Sequence, residues 1–350
     1  MLGAGPGVTL QDGGRHYYLR YGVTPAGPMD WVAFRTANLA LGNDADAAAI
    51  EISVGGIQVI CEEVPIFVAF CGASFLWQRQ RSELQTELPQ AARLRLVPGD
   101  KLIARAGDWG SWTYLAVEGG LDTPIELGSR ATHTRSAMGG IEGRMLRQGD
   151  SLPICEKTGV SSATLHEARI EAPWLAKNDS PIRIILGPQD DYFSAEGLAV
   201  LLGSEFILTN AADRMAYRFD GPEITHSCGF NIVSDGIALG AIQIAGDCKP
   251  LILMADRQPT GGYPKIAHVA RADIGRLAQM RPGERCRFVA VSIAEARTAL
   301  LALEDEVTTA PSHLRSLQPD LTSELLLGRN LVDGFVDAFE SYASPRDEKR

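Results

Sequence analysis

The chain has 350 residues, 45% of them hydrophobic and 22% charged, with a net charge of −10. That length holds two domains or one large one, and the composition is that of a globular chain rather than a disordered one. The acidic balance, with no Lys/Arg run, argues against a nucleic-acid backbone or an anionic membrane surface as partner.

The N-terminal "MLGAGPGVTLQDGGR" lacks a basic start followed by a long apolar run, and no stretch reaches the apolar length of a membrane span. Asp30 is placed to cap a helix over "WVAFRTANLAL", with Trp31, Phe34 and Leu41 on one side and Gly42 ending it. "IQVICEEVPIFVAFCG", "RLRLVPGDKLIARAG" and "SWTYLAVEGG" follow as strands, marked by alternation and Gly/Pro punctuation. The polar "CEKTGVSSATLHEARIEAPWLAKNDS" reads as a linker. Beyond it, "PIRIILGPQ", "EFILT", "MAYRFDGPEI", "AIQIAG" and "LILMAD" are again strand-like. Ser194 and Asp273 are placed to cap short helices, and "SIAE" from Ser292 spells a capping box for a longer one. The last stretch carries an apolar stripe (Leu325, Leu331, Phe335, Phe339) and a frayed charged end, which predicts a helical tail.

Many short strands with few helices predict a mainly β fold built from barrels. A weak internal echo suggests two units: "LVPGDKLIARA" and "MRPGERCRFVAVS" share an apolar, Pro-Gly-acid, strand order, and "LRQGDSLPI" is a poorer third copy. Cys61, Cys71, Cys155, Cys228, Cys248 and Cys286 form no CxxC pair and have no histidine at zinc spacing, so buried free thiols in a reducing cytoplasm are expected and no metal site is. No phosphate loop, dinucleotide fingerprint, HExxH or nucleophile elbow occurs.

Four polar clusters in glycine-rich frames remain. Around the first turn stand Gln11, Asp12 and Arg15, with Asp30 after a second turn; structurally these are an Asx turn, a helix cap and a surface arginine, and functionally a bidentate holder for an amide or carboxylate. In the second cluster, Glu51 enters an apolar strand and needs a partner if it faces inward. The third alternates Glu118, Arg130, Arg135 and Arg144 with glycines, suited to gripping an anion or to satisfying turn carbonyls. The fourth holds Ser234, Asp235, Gln243, Asp256, Arg257, Thr260, Tyr263 and Lys265. In its "DRQPTGGYPKIAHV", Gly261-Gly262 are expected to supply positive φ, leaving Lys265 either solvated or aimed by the backbone into a site.

"TLQDGGR", "PAGPMD", "VEGGLD…LGSRATHTR…GGIEGR", "NIVSDGI…GAIQI" and "DRQPTGGYPKIAHV…AD…LAQMRPGERCRF" together resemble the 5-oxoprolinase C-subunit family, also described as biotin-dependent carboxyltransferase-like, allophanate hydrolase subunit 2 or urea amidolyase-related. The partly disordered helical tail over 307–350 lies outside the resemblance and is read from its apolar stripe alone. The resemblance implies two cyclophilin-like β-barrel subdomains, taken here as 1–165 and 166–306. It implies a sister polypeptide, the KipI-like B subunit, together with the LamB/YcsF-like A subunit, and an ATP-dependent opening of the 5-oxoproline lactam to glutamate. It leaves open a urea or amide carboxylase with biotin carried on another chain, and a regulatory protein antagonising a kinase inhibitor. On this reading Lys265, Arg257 and Tyr263 are the candidate catalytic residues. Gln11, Asp12, Arg15, Asp30, Glu51, Gln243, Asp256 and Thr260 are candidates for holding the substrate.

Overall fold

Alternating and fully apolar runs pair into antiparallel sheets wherever turn residues bring them back on themselves. The computed structural model describes residues 1–155 and 165–317. Met1–Ser316 form one compact unit. Of the tail expected over 307–350, residues 318–350 lie outside the described residues; the described part corrects the expectation, since the helix ends at Thr308 and Leu314–Ser316 form a strand held by backbone pairing to Ala168–Ile170.

The first half builds two sheets. A five-stranded one runs Gly3–Ala4, Ile57–Ile60, Lys101–Ala106, Phe75–Arg81, Leu84–Leu88 in spatial order. A seven-stranded one runs Thr9–Gln11, Ala49–Ser53, Trp112–Val117, Ile66–Gly72, Ala92–Leu96, Ala168–Ile170, Leu314–Ser316. Ala49–Ser53, Ile66–Gly72 and Trp112–Val117 are buried along their whole length, which explains their near-continuous apolar spelling. The second half builds an eight-stranded sheet from Ile182 to Ala290, in which only Ile182–Leu186 and Phe288–Ala290 run parallel. The mainly β reading therefore holds.

The helices begin where their caps predict. Asp30 accepts from the N–H groups of Val32 and Ala33 at the start of α1 (Trp31–Ala40), and Ser194 accepts from Gly197 N–H at α2 (Ala195–Gly203). After the five-residue α3 (Ile274–Ala278), Ser292 and Glu295 complete the capping box of α4 (Ile293–Thr308). Asp273 departs from expectation: its side chain makes no cap bond, because both oxygens are taken by Arg183 at 2.6 to 3.0 Å. A bidentate, charge-assisted pair outcompetes a neutral cap contact.

The internal echo is physical. In each copy the acid closes a four-residue turn twice: Asp100, Asp150 and Glu284 donate their N–H to the carbonyls of Val97, Arg147 and Arg281. Their carboxylates accept the N–H of those same residues at 2.8 to 2.9 Å. Gly99, Gly149 and Gly283 sit at φ of 92°, 90° and 91°, the left-handed region where a side chain is strained.

Two expectations need correction. The segment read as a linker contains the strand Ala168–Ile170, which pairs with Ala92–Leu96 and Leu314–Ser316 through backbone bonds that its polar spelling does not advertise. The six cysteines are free, but only Cys61 and Cys71 are buried, and Cys228 is exposed because its loop runs over the surface. No helix among the described residues is long and apolar enough to cross a membrane.

One apolar cluster runs through both halves, from Phe34, Trp112 and Tyr114 to Phe206, Phe219, Ile242 and Leu277. Polar ties accompany it. Trp112 Nε1 donates to Tyr217 Oη at 3.3 Å, and Tyr217 donates to the Ala278 carbonyl at 2.8 Å. Gln279 accepts from the N–H groups of Ser111 and Trp112 at 2.9 Å each, and donates to the Trp112 carbonyl and to Asp30.

Candidate active site

Glu51 shows how an inward-facing carboxylate in an apolar strand is satisfied. Tyr114 lies directly across the ladder from it and donates its hydroxyl at 2.7 Å; Met29 N–H donates at 2.8 Å. The cation comes from the other half: Arg214 pairs with Glu51 through Nη1 and with both oxygens of Asp256 at 2.7 and 2.9 Å. Its Nη2 also donates to the Gly27 carbonyl at 2.8 Å. Burial raises the pKa of Glu51 and of Asp30 above the ordinary carboxylate values. Burial pulls the Arg214 guanidinium down, but Asp256 and Glu51 outweigh it and hold it charged. The structure thus joins the predicted Asp30, Glu51 and Asp256, and supplies Arg214, Tyr114 and Gln279, which sequence reasoning missed. The one available signal was the carboxylate in "AIEIS", which demands a buried donor without saying where.

The N-terminal bend is knit into its own scaffold. Asp12 accepts from Gly14 N–H at 2.9 Å in the expected Asx turn, and from Ser129 Oγ and Arg130 N–H at 2.6 Å each. Gln11 donates to Thr9 and to the Thr132 carbonyl and accepts from Gly27 N–H. Arg15, expected at the surface, is fully buried and donates to the carbonyls of Glu126 and Ala131 at 2.9 and 3.0 Å. An arginine fork can satisfy several turn carbonyls at once, which a solvated placement would forgo. Gly27 links this bend to the Arg214 cluster, since its N–H meets Gln11 and its carbonyl meets Arg214. In the third cluster, Arg144 is clamped on Asp150 and Arg130 on Asp122.

The fourth cluster lies on the second-half sheet. Gln243 and Lys265 face each other across adjacent strands, beside a bulge between Ile242 and Gln243 that turns both side chains inward. Lys265 is not solvated: only 2% of its side chain is exposed, and Nζ donates to Asp235 Oδ2 at 2.7 Å. Its backbone N–H donates to Gln189 Oε1 at 3.0 Å. Gln243 is buried and donates to the Tyr263 carbonyl at 3.3 Å, while its Oε1 has no partner. Thr260 and Tyr263 are exposed at the rim. Arg257 is buried against the carbonyls of Ile237 and Met254, and burial, reinforced by Arg271, lowers its pKa to about 10.

Gly261 and Gly262 do not adopt positive φ. Gly261 is needed for close packing instead: a Cβ there would stand 2.6 Å from Ile237 and 2.8 Å from Gln243 Nε2. Gly261→Ala is therefore expected to cost about 1–3 kcal/mol in urea unfolding, while Gly262→Ala, whose nearest neighbour would be 3.4 Å away, stays near wild type.

A cavity of about 650 Å³ lies elsewhere, lined by Asp30 and Gln279 together with Trp109, Lys177, Arg276 and Glu306. Of the predicted site residues only Asp30 reaches it. Its cations are engaged, Arg183 by Asp273 and Arg276 by Asp273 and the Asn178 carbonyl. The candidate residues do not fit a triphosphate either. Lys265 is covered by Asp235, Arg15 and Arg257 are spent on carbonyls, and an aspartate occupies the N-terminus of α1. No group of three metal-binding side chains occurs among the described residues.

Residues 21–290 match the family model described as the carboxyltransferase domain, subdomains A and B. The chain belongs to the carboxyltransferase-domain family. Within it, the chain is 36% identical to the C subunit of Escherichia coli 5-oxoprolinase over 299 residues, covering 85% of this chain and 93% of the relative. The corresponding protein of Haemophilus influenzae is 35% identical, with 83% and 90% covered. The crystal structure of the Kluyveromyces lactis urea carboxylase superposes with a TM-score of 0.79 at 28% identity, over 91% of this chain and 29% of that much longer one. Similarity to this chain thus extends both over nearly the whole of a relative of similar size and over a segment of a much longer chain.

Proposed function

We propose that the chain is the C subunit of an ATP-dependent 5-oxoprolinase, which opens the 5-oxoproline lactam to glutamate together with the LamB/YcsF-like A and KipI-like B subunits. The observation that carries this reading is the 36% identity to the Escherichia coli C subunit, sustained over 93% of that protein's length. The surroundings of Lys265 suit the chemistry. An amide is a poor electrophile, so a site must orient it and stabilise charge on its oxygen or nitrogen as the ring C–N bond breaks and water adds. Gln243, Thr260 and Tyr263 are proposed to border the substrate beside Lys265, with Arg257 stiffening the loop behind them. Gln11, Asp12 and Arg15 shape the N-terminal bend. Glu51 and Asp256 tie the bend to the second half through Arg214, and Asp30 adds a tie of its own through Gln279. The nucleotide is proposed to bind on another subunit, since Lys265 is covered by Asp235 and Arg15 and Arg257 are turned to backbone carbonyls, and the isolated chain is expected to be inactive.

The test is glutamate release from 5-oxoproline and ATP by the three purified subunits. Release that requires every chain is expected; release by the other two alone would contradict the reading. A second reading, a carboxyltransferase acting on urea or a related amide with biotin carried on another chain, is favoured by the fold match to the urea carboxylase. Urea-dependent carboxylation with a biotin-carrying partner, and no glutamate release, would select it.

A further inference from the structure

The pair at the second-half rim has an inside and an outside. Lys265 Nζ is covered, with 2% of its side chain exposed, whereas its partner Asp235 is 55% exposed. A ligand arriving from solvent therefore meets the carboxylate first and reaches the ammonium only by breaking a 2.7 Å charge-assisted bond. The carboxylate is also held in place. Asp235 Oδ1 accepts Gly236 N–H at 2.8 Å, and Asp235–Gly236 pairs with Thr260–Gly261 in a two-stranded ladder. Gln189, whose Oε1 takes the Lys265 N–H, approaches the same oxygen as Lys265 at 3.4 Å.

We propose that Asp235 is the substrate-facing group, accepting a hydrogen bond from an amide N–H, and that Lys265 is its positioning residue. The ligand class follows from the charge on view. An ionised carboxylate repels phosphate or carboxylate ends and accepts from neutral N–H donors such as a lactam, a primary amide or a urea. The lowered pKa of Asp235, caused first by the Lys265 hydrogen bond and then by Gly236 N–H, keeps it an acceptor. This deepens the lactam reading and rests on it for the identity of the substrate. For 5-oxoproline it orients the ring with its N–H toward Asp235 and its own carboxylate away.

The test compares 5-oxoproline with its N-methyl analogue, which lacks the donor, as competitor of glutamate release by the complete three-subunit complex. Wild type is expected to discriminate against the analogue at least about tenfold, equivalent to about 1.4 kcal/mol. Asp235→Ala should raise KM and cut that discrimination to within about twofold, and Asp235→Asn, which keeps an acceptor oxygen, should recover part of it. Undiminished discrimination and KM in a folded Asp235→Ala complex would overturn the proposal. If the wild-type complex releases no glutamate, the lactam reading falls. The proposal is then decided by calorimetric binding of urea against tetramethylurea: a preference lost in Asp235→Ala sustains it, and one retained overturns it.

Discussion

Arg214→Met is expected to destabilise the protein by about 3–5 kcal/mol, the largest single loss among the polar positions, read as a shift in the urea midpoint. The substitution leaves Glu51 and Asp256 buried without a cation, and the Gly27 carbonyl without its donor. The deficit should shrink on acidification. A carboxyl whose pKa is raised on folding takes up its proton at a higher pH in the folded chain than in the unfolded one. Between the two values the folded state holds more protons, so its stability rises as pH falls. Glu51 already has a raised pKa through burial, and removing Arg214 raises it further. A deficit below 1 kcal/mol in Arg214→Met, or one that grows on acidification, would show that this cluster does not hold the two halves together.

Lys265→Met is expected to lower kcat/KM of the complete complex by about 100-fold, close to 2.7 kcal/mol of lost transition-state stabilisation. Methionine preserves the buried stem and removes only the charge, so folding is expected to survive better than with alanine. The acid limb of the pH profile separates positioning from mere support. In the wild type Lys265 is the charged group acting on Asp235 and holds its pKa below the usual value. Without the ammonium that pKa returns toward the ordinary carboxylate range, so the acid limb should move to higher pH. An unchanged profile with an unchanged kcat/KM would place the site elsewhere.

Local features were legible in the sequence because their causes are local. The caps of α1, α2 and α4 and the three Gly-acid turns depend on residues two to four apart, and the structure reproduces them. What escaped depends on distant partners. Arg214 sits in "DRMAYRF" with nothing to mark it, and meets Glu51 from 163 positions away. Asp273 looked like a cap until Arg183, 90 positions earlier, claimed it. Arg15 and Lys265 carry charges that composition alone assigns to the surface, yet each is buried on partners brought by other loops. The double glycine at 261–262 spells a φ requirement, whereas at Gly261 the constraint is contact with Ile237 and Gln243. The family resemblance pointed to this stretch, but which of its groups faces solvent depends on packing that no local spelling encodes.

Amide hydrogen exchange on the complete complex, with and without 5-oxoproline, tests the placement of the site most directly. Added protection is expected at residues 232–236, 243 and 260–266, around the Asp235–Lys265 pair. Protection confined instead to residues 173–179 and to Ala299, Ala302, Leu303 and Glu306, which line the 650 Å³ cavity, would contradict it.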